Sequence, residues 1–162
     1  MVQHVNTESS KFCAADGLAA LEAGLLMHDQ VMPTELGGVT FKAGTYSTAD
    51  PVNIILANPI MYLDAEGNSD AVFIFNAAQT VITCTGSEIV LLNGAKAENV
   101  YWFLGAALTV GSDSTFVGNV LAKTAITVGT HSVLIGKAIA QTAVSCATGC
   151  TIGTAANCLP SV

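Results

Sequence analysis

Residues Ala107–Thr124 read ALTVGSDSTFVGNVLAKT, and Ala125–Thr142 read AITVGTHSVLIGKAIAQT. Laid over each other, the two stretches agree at Ala, Thr, Val, Gly, Ser, Gly, Ala and Thr with a period of 18, and a third copy starts at Ala143 as AVSCATGCTI. A shorter rhythm runs inside the period: Val110, Phe116, Ala122, Val128, Leu134, Ala140, Cys146 and Ile152 recur every six residues. Three short sides make one coil of triangular section. No single coil can bury its own inner face, so the pattern predicts coils stacked on one another. Stacked coils lie about 4.8 Å apart, and each buried Val, Leu, Ile or Phe contributes roughly 1.5–3 kcal/mol to such a column.

Working upstream, a further copy is recognisable at Val81-Ile82-Thr83-Cys84, 26 residues before Ala107, which makes Asn93–Val100 an inserted loop. The pieces Val39–Phe41, Met61–Leu63, Ala71–Phe75, Val81–Cys84 and Ile89–Leu92 are short, β-rich and cut by Gly, Asn, Asp and Ser, a pattern that excludes a doubly wound sheet. Asp50-Pro51-Val52-Asn53 and Pro59-Ile60-Met61-Tyr62 both qualify as the next strand on the side of Val81. The N-terminal part reads differently. Ala14, Leu18, Leu21 and Leu25 fall at helical spacing, predicting a helix over residues 9–30 that starts at Ser9 or Ser10 and stops before Pro33 and Gly37-Gly38. Its apolar stripe would lie along one side of the solenoid. The expectation is therefore one domain over residues 1–162: a helix at 9–30, coils at 36–153 and a tail at 154–162.

Half of the 162 residues are hydrophobic and a tenth are charged, with a net charge of −7. So few cations disfavour nucleic acid and anionic membranes as partners. The longest apolar stretches, Ile54–Leu63 and Val100–Leu108, are shorter than the roughly 20 residues of a membrane helix, and no secretory signal is visible at Met1–Phe12. Cys13, Cys84, Cys146, Cys150 and Cys158 include no CxxC pair, so no zinc site or other cofactor is indicated. Cys150 and Cys158 can staple the C-terminal end. Cys84 and Cys146 read equally well as small core residues.

Side chains alternate along a strand, so with Leu108, Ile126 and Val144 inward alongside Val110, Val128 and Cys146, the outward residues are Ala107 and Thr109, Ala125 and Thr127, and Ala143 and Ser145. Val81 and Thr83 take the same places one coil earlier. With the preceding residue, the four segments are Thr80-Val-Ile-Thr83, Ala106-Ala-Leu-Thr109, Thr124-Ala-Ile-Thr127 and Thr142-Ala-Val-Ser145, and none carries a charge. Other outward positions carry Asn119, Lys123, Lys137 and Gln141, with Asp113 and His131 near a corner. A flat array of methyls and hydroxyls, about 4.8 Å apart between coils and about 6.6 Å along a strand, can order water in an ice-like arrangement. The site expected from this pattern is Thr80, Thr83, Ala107, Thr109, Thr124, Ala125, Thr127, Thr142, Ala143 and Ser145.

The chain resembles the ice-binding-like family of microbial β-solenoid antifreeze proteins from about Ala14 to Ile152. The resemblance is carried by Leu36–Tyr46 (LGGVTFKAGTY), Ala71–Phe75, Asn93–Trp102, Phe116–Thr124 and Gly136–Val144. It implies a mainly β fold, a discontinuous right-handed β-helix with one long α-helix packed alongside, and adsorption to an ice crystal surface without catalysis. It also implies a secreted or cell-surface protein; the expectation beside it is a monomer or weak self-association. The family's Thr-Ala-x-Thr motif matches Thr124–Thr127, and Thr142–Ser145 with Ser in the last place. Family members usually have a β-helical segment before the helix, so a smaller ice face, or completion by an omitted segment or another chain, is expected.

Two other classes compete. Hexapeptide-repeat acyltransferases share the rhythm and use a histidine as general base; His131 lies within the repeats, without an acidic partner discernible in sequence. A surface adhesive or structural solenoid would use Tyr62, Tyr101, Trp102 and Phe103 as sugar platforms, although these equally suit a core. Asp64, Glu66 and Asp70 around Gly67-Asn68-Ser69 read as a polar turn rather than a metal loop.

Overall fold

Alternation of apolar and polar residues over three to five positions, broken by turn residues, gives strands too short to stand alone, and the chain joins them in parallel across successive coils. The computed structural model describes residues 30–54, 58–153 and 159–160. Three parallel sheets form the walls. Sheet A holds β1 (Gln30–Val31), β3 (Gly44–Thr48), β6 (Phe73–Ala77), β9 (Val100–Leu104), β12 (Asn119–Ala122) and β15 (Ala138–Ala140), stacked in that order. Sheet B stacks β4 (Val52–Ile54), β7 (Val81–Thr83), β10 (Leu108–Val110), β13 (Ala125–Val128) and β16 (Ala143–Cys146). Sheet C stacks β2 (Thr40–Lys42), β5 (Ile60–Asp64), β8 (Glu88–Leu92), β11 (Thr115–Val117), β14 (Val133–Ile135) and β17 (Thr151–Gly153), closed by β18 (Leu159–Pro160), which pairs antiparallel with β17. From β3 to β17 the chain visits A, B and C in turn, one strand per wall per coil; before that it passes from β1 to β2, with only an isolated bridge from Glu35 to Asn53 on the side of sheet B.

The core is the column these walls enclose. Phe73, Phe75, Trp102, Leu108, Phe116, Ile126 and Leu134 are fully buried within it. Rings stack along the axis, with Tyr46 on Phe75 at 5.5 Å and Phe75 on Trp102 at 4.3 Å between centroids, and the Trp102 indole N–H donates to the Val117 carbonyl at 3.0 Å. Gly118 and Gly136 sit at the same corner of successive coils with φ of 126° and 146°. A Cβ on Gly136 would collide with the Gly118 carbonyl, which is why the repeat keeps glycine there.

The expected solenoid with an α-helix alongside is corrected on its second half. Among the described residues there is no α-helix, only a 3-10 turn at Ala97–Asn99. The segment 9–30 on which the helix was expected lies outside the described residues except for its last position. Gln30 there is strand, because it pairs in parallel with Tyr46, so among the described residues strand structure is present at Gln30, ahead of Leu36. The inserted loop at Asn93–Val100 does carry that 3-10 turn and ends where β9 begins. The expected Cys150–Cys158 staple gives way to a Cys146–Cys150 disulfide closing the last coil, while Cys84 is a free thiol.

Candidate functional site: the outer face of sheet B

Sheet B is packed from within. Val52, Val81, Leu108, Val110, Ile126 and Val128 point into the core and are essentially inaccessible. Register pairs Leu108 with Ile126, Thr109 with Thr127 and Val110 with Val128, then Ala125 with Ala143 and Thr127 with Ser145. The corner leaving the sheet is fixed by buried serines one coil apart. The Ser114 hydroxyl accepts from the Ser87 N–H at 3.1 Å and donates to the Cys84 carbonyl at 3.0 Å. The Ser132 hydroxyl accepts from the Ser114 N–H at 3.0 Å and donates to the Gly111 carbonyl at 2.7 Å. Each coil thereby satisfies backbone groups of its neighbour that would otherwise be buried unpaired, and successive strands cannot drift out of register.

On the outer face, Thr109, Thr127 and Ser145 form one exposed row across three coils, with Ala107, Ala125 and Ala143 as a second row beside it. Thr124 and Thr142 are exposed at the corner leading in from sheet A, aligned by the Thr142 N–H donating to the Thr124 carbonyl at 2.9 Å. Thr80 is half-exposed beside β7. Eight of the ten expected residues therefore reach this face in three successive coils, and Thr80 joins them one coil further on.

Thr83 does not, and its placement is a correction. Val81 pairs with Leu108 and Ile82 with Thr109, so the offset between these coils is 27 residues rather than 26. A one-residue slip turns every side chain over. Val81 and Thr83 are buried and Ile82 is 45% exposed. The Thr83 hydroxyl accepts from the Gly111 N–H at 3.1 Å and so braces the next coil from inside. Asp50–Asn53 rather than Pro59–Tyr62 supplies the following strand, as Val52 pairs with Val81 and Asn53 with Ile82.

The residues of the competing classes are dispersed. His131 is exposed on the corner between sheets B and C; its Nδ1 lies 3.6 Å from Asp113 Oδ1, a partner one coil away that spacing alone did not reveal. Both residues occupy the left-handed backbone region at the same corner. Trp102 is buried, and Tyr62, Tyr101 and Phe103 are half-buried on two different walls. Asp64 accepts from the Glu66 N–H and from the Asn93 amide, and these bonds, Asn93 first, hold its carboxyl below the ordinary range. The Cys84 thiol, just past β7, is pushed above its usual range by burial. Sequence reasoning missed the serine ladder, although Ser114 and Ser132 are among the residues that repeat between coils.

A three-sided parallel β-solenoid with one wall faced by small, uncharged side chains is the class that these features define. The ice-binding-like family model matches residues 6–150, and the chain belongs to that family. Ice-binding protein 1 of Shewanella frigidimarina is 35% identical over 123 residues, 75% of this chain and 14% of that protein. An ice-binding protein of Nostoc sp. is 35% identical over 103 residues, 64% of this chain and 37% of that protein. The chain thus spans well under half the length of these relatives. Among solved structures, a domain of the Shewanella protein superposes with a TM-score of 0.77 at 30% identity, covering 90% of this chain and 62% of that one. The ice-binding protein of Antarctomyces psychrotrophicus gives 0.72 at 32% identity, covering 88% and 68%.

Proposed function

We propose that this chain binds ice, and that it does so through the outer face of sheet B. The observation that carries the reading is the in-register row Thr109, Thr127 and Ser145 beside the row Ala107, Ala125 and Ala143. Methyl groups in such an array order the adjoining water, and hydroxyls anchor it by hydrogen bonds. An ionic group would hold water in a competing arrangement, and the segments that line these coils carry none.

Binding of this kind is adsorption. Many weak contacts add up only if the protein side is already arranged, because each group ordered at the moment of binding costs entropy. The stacked coils, the aromatic column and the serine ladder provide that prior order. Ice growing between adsorbed molecules is forced into curved fronts, which lowers the temperature at which it advances. A secreted or cell-surface location, where ice would be met, belongs to the same proposal.

Ice-affinity partitioning tests it. The chain is expected to concentrate in the frozen fraction, and Ala125→Tyr, which raises a bulky ring out of the flat array, is expected to stay in the liquid while retaining its circular dichroism spectrum. Equal exclusion of both proteins from the ice would refute the proposal.

A further inference from the structure

Ile82 is the one large apolar side chain that β7 turns outward. Its strand neighbours Val81 and Thr83 are 0% and 3% exposed, whereas Ile82 is 45% exposed. The sheet register places it in the row of Thr109 and Thr127, one coil before Thr109. Thr80 leads into the same strand, half-exposed, and no charge lies between Gln79 and Thr85. One coil further in that direction the row changes character. Asn53 pairs with Ile82, and Glu35 bridges to Asn53 with its carboxylate accepting from the Gly37 N–H at 2.7 Å.

We propose that Ile82 is a contact residue of the ice surface, extending the row of Thr109, Thr127 and Ser145 to a fourth coil, and that the contact area ends at Asn53. The inference rests on the ice-binding reading of sheet B. An exposed isoleucine in mid-sheet adds little to the core, since its outward face meets solvent. In the row it supplies the branched methyl that threonine supplies at the next coils, without the hydroxyl. It therefore takes part in ordering water and not in anchoring it. Asn53 and Glu35 carry polar groups that hold water on their own terms, which gives the array a boundary.

The test compares freezing hysteresis for Ile82→Lys, Ile82→Thr and Val72→Lys, with Thr127→Tyr measured in parallel. Val72 is 38% exposed just before β6 and lies off sheet B. Ile82→Lys is expected to lose most of the hysteresis, Ile82→Thr to equal or exceed the parent, and Val72→Lys to match it, all with unaltered circular dichroism. Parent-level activity in Ile82→Lys while Thr127→Tyr is inactive would overturn this inference and leave sheet B standing. Parent-level activity in both would remove sheet B as the ice surface. Should Ile82→Lys fail to fold, Ile82→Tyr, suited to an exposed strand position, is read in the same way.

Discussion

Sheets B and C are built from the same backbone, one parallel strand per coil, yet their outer faces differ. On sheet C the outward positions include Lys42, Asp64 and Glu88 beside half-exposed Tyr62 and Val90, and Lys42 reaches across to Glu66 at 2.6 Å. On sheet B, three coils carry only Ala, Thr and Ser outward. The difference teaches that the solenoid supplies the same stacked backbone to every wall, while side-chain selection decides which wall suits the proposed contact with ice. Function on this fold is a property of one face and not of the architecture.

The comparison breaks most completely if the shared core is removed. Trp102→Ala is expected to destabilise the protein by about 3–5 kcal/mol, lowering the thermal midpoint and disordering both walls together. Loss of ice binding with an unchanged midpoint would mean that Trp102 acts on the ice side alone. Gly136→Ala is expected to cost about 1–3 kcal/mol or more, because the added methyl meets the Gly118 carbonyl where sheet C turns into sheet A; chemical denaturation measures it. Acid sharpens the contrast. Asp64 has a lowered pKa in the folded state, so its contribution is complete above the ordinary aspartate range and is lost as pH falls through the lower folded value. Stability should therefore decline in acid, less steeply in Asp64→Asn, while ice shaping per folded molecule holds steady because the rows on sheet B contain no ionisable group. Reducing the Cys146–Cys150 disulfide is expected to have a modest effect, read as a lowered thermal midpoint: it spans four residues, and for so short a loop the chain-entropy estimate is about 2 kcal/mol.

The regular coils were readable because each of their positions repeats. Ala107 and Ala125, and Thr109 and Thr127, are 18 residues apart, and hydrogen-bonded partners in a parallel stack occupy equivalent places, so the period gave the register directly. Upstream the coils are lengthened by loops such as that before β9, and no period survives to count. An inserted loop hides a shift of one residue, and alternation then inverts the strand, so the repeat alone puts Thr83 outward. The choice between Asp50–Asn53 and Pro59–Tyr62 stays open in the sequence for the same reason, and the register settles it for Asp50–Asn53. The approach of Asp113 to His131 and the Cys146–Cys150 bond depend on corner geometry, which hydrophobic periodicity does not encode.

The most direct measurement places the same bulky substitution on each wall. Thr127→Tyr and Thr115→Tyr are compared by freezing hysteresis and ice-crystal shaping, with circular dichroism confirming that both retain the coils. Loss of activity in Thr127→Tyr and parent-level activity in Thr115→Tyr is the predicted result; the reverse pattern, or equal activity in both, would contradict the assignment of ice contact to sheet B.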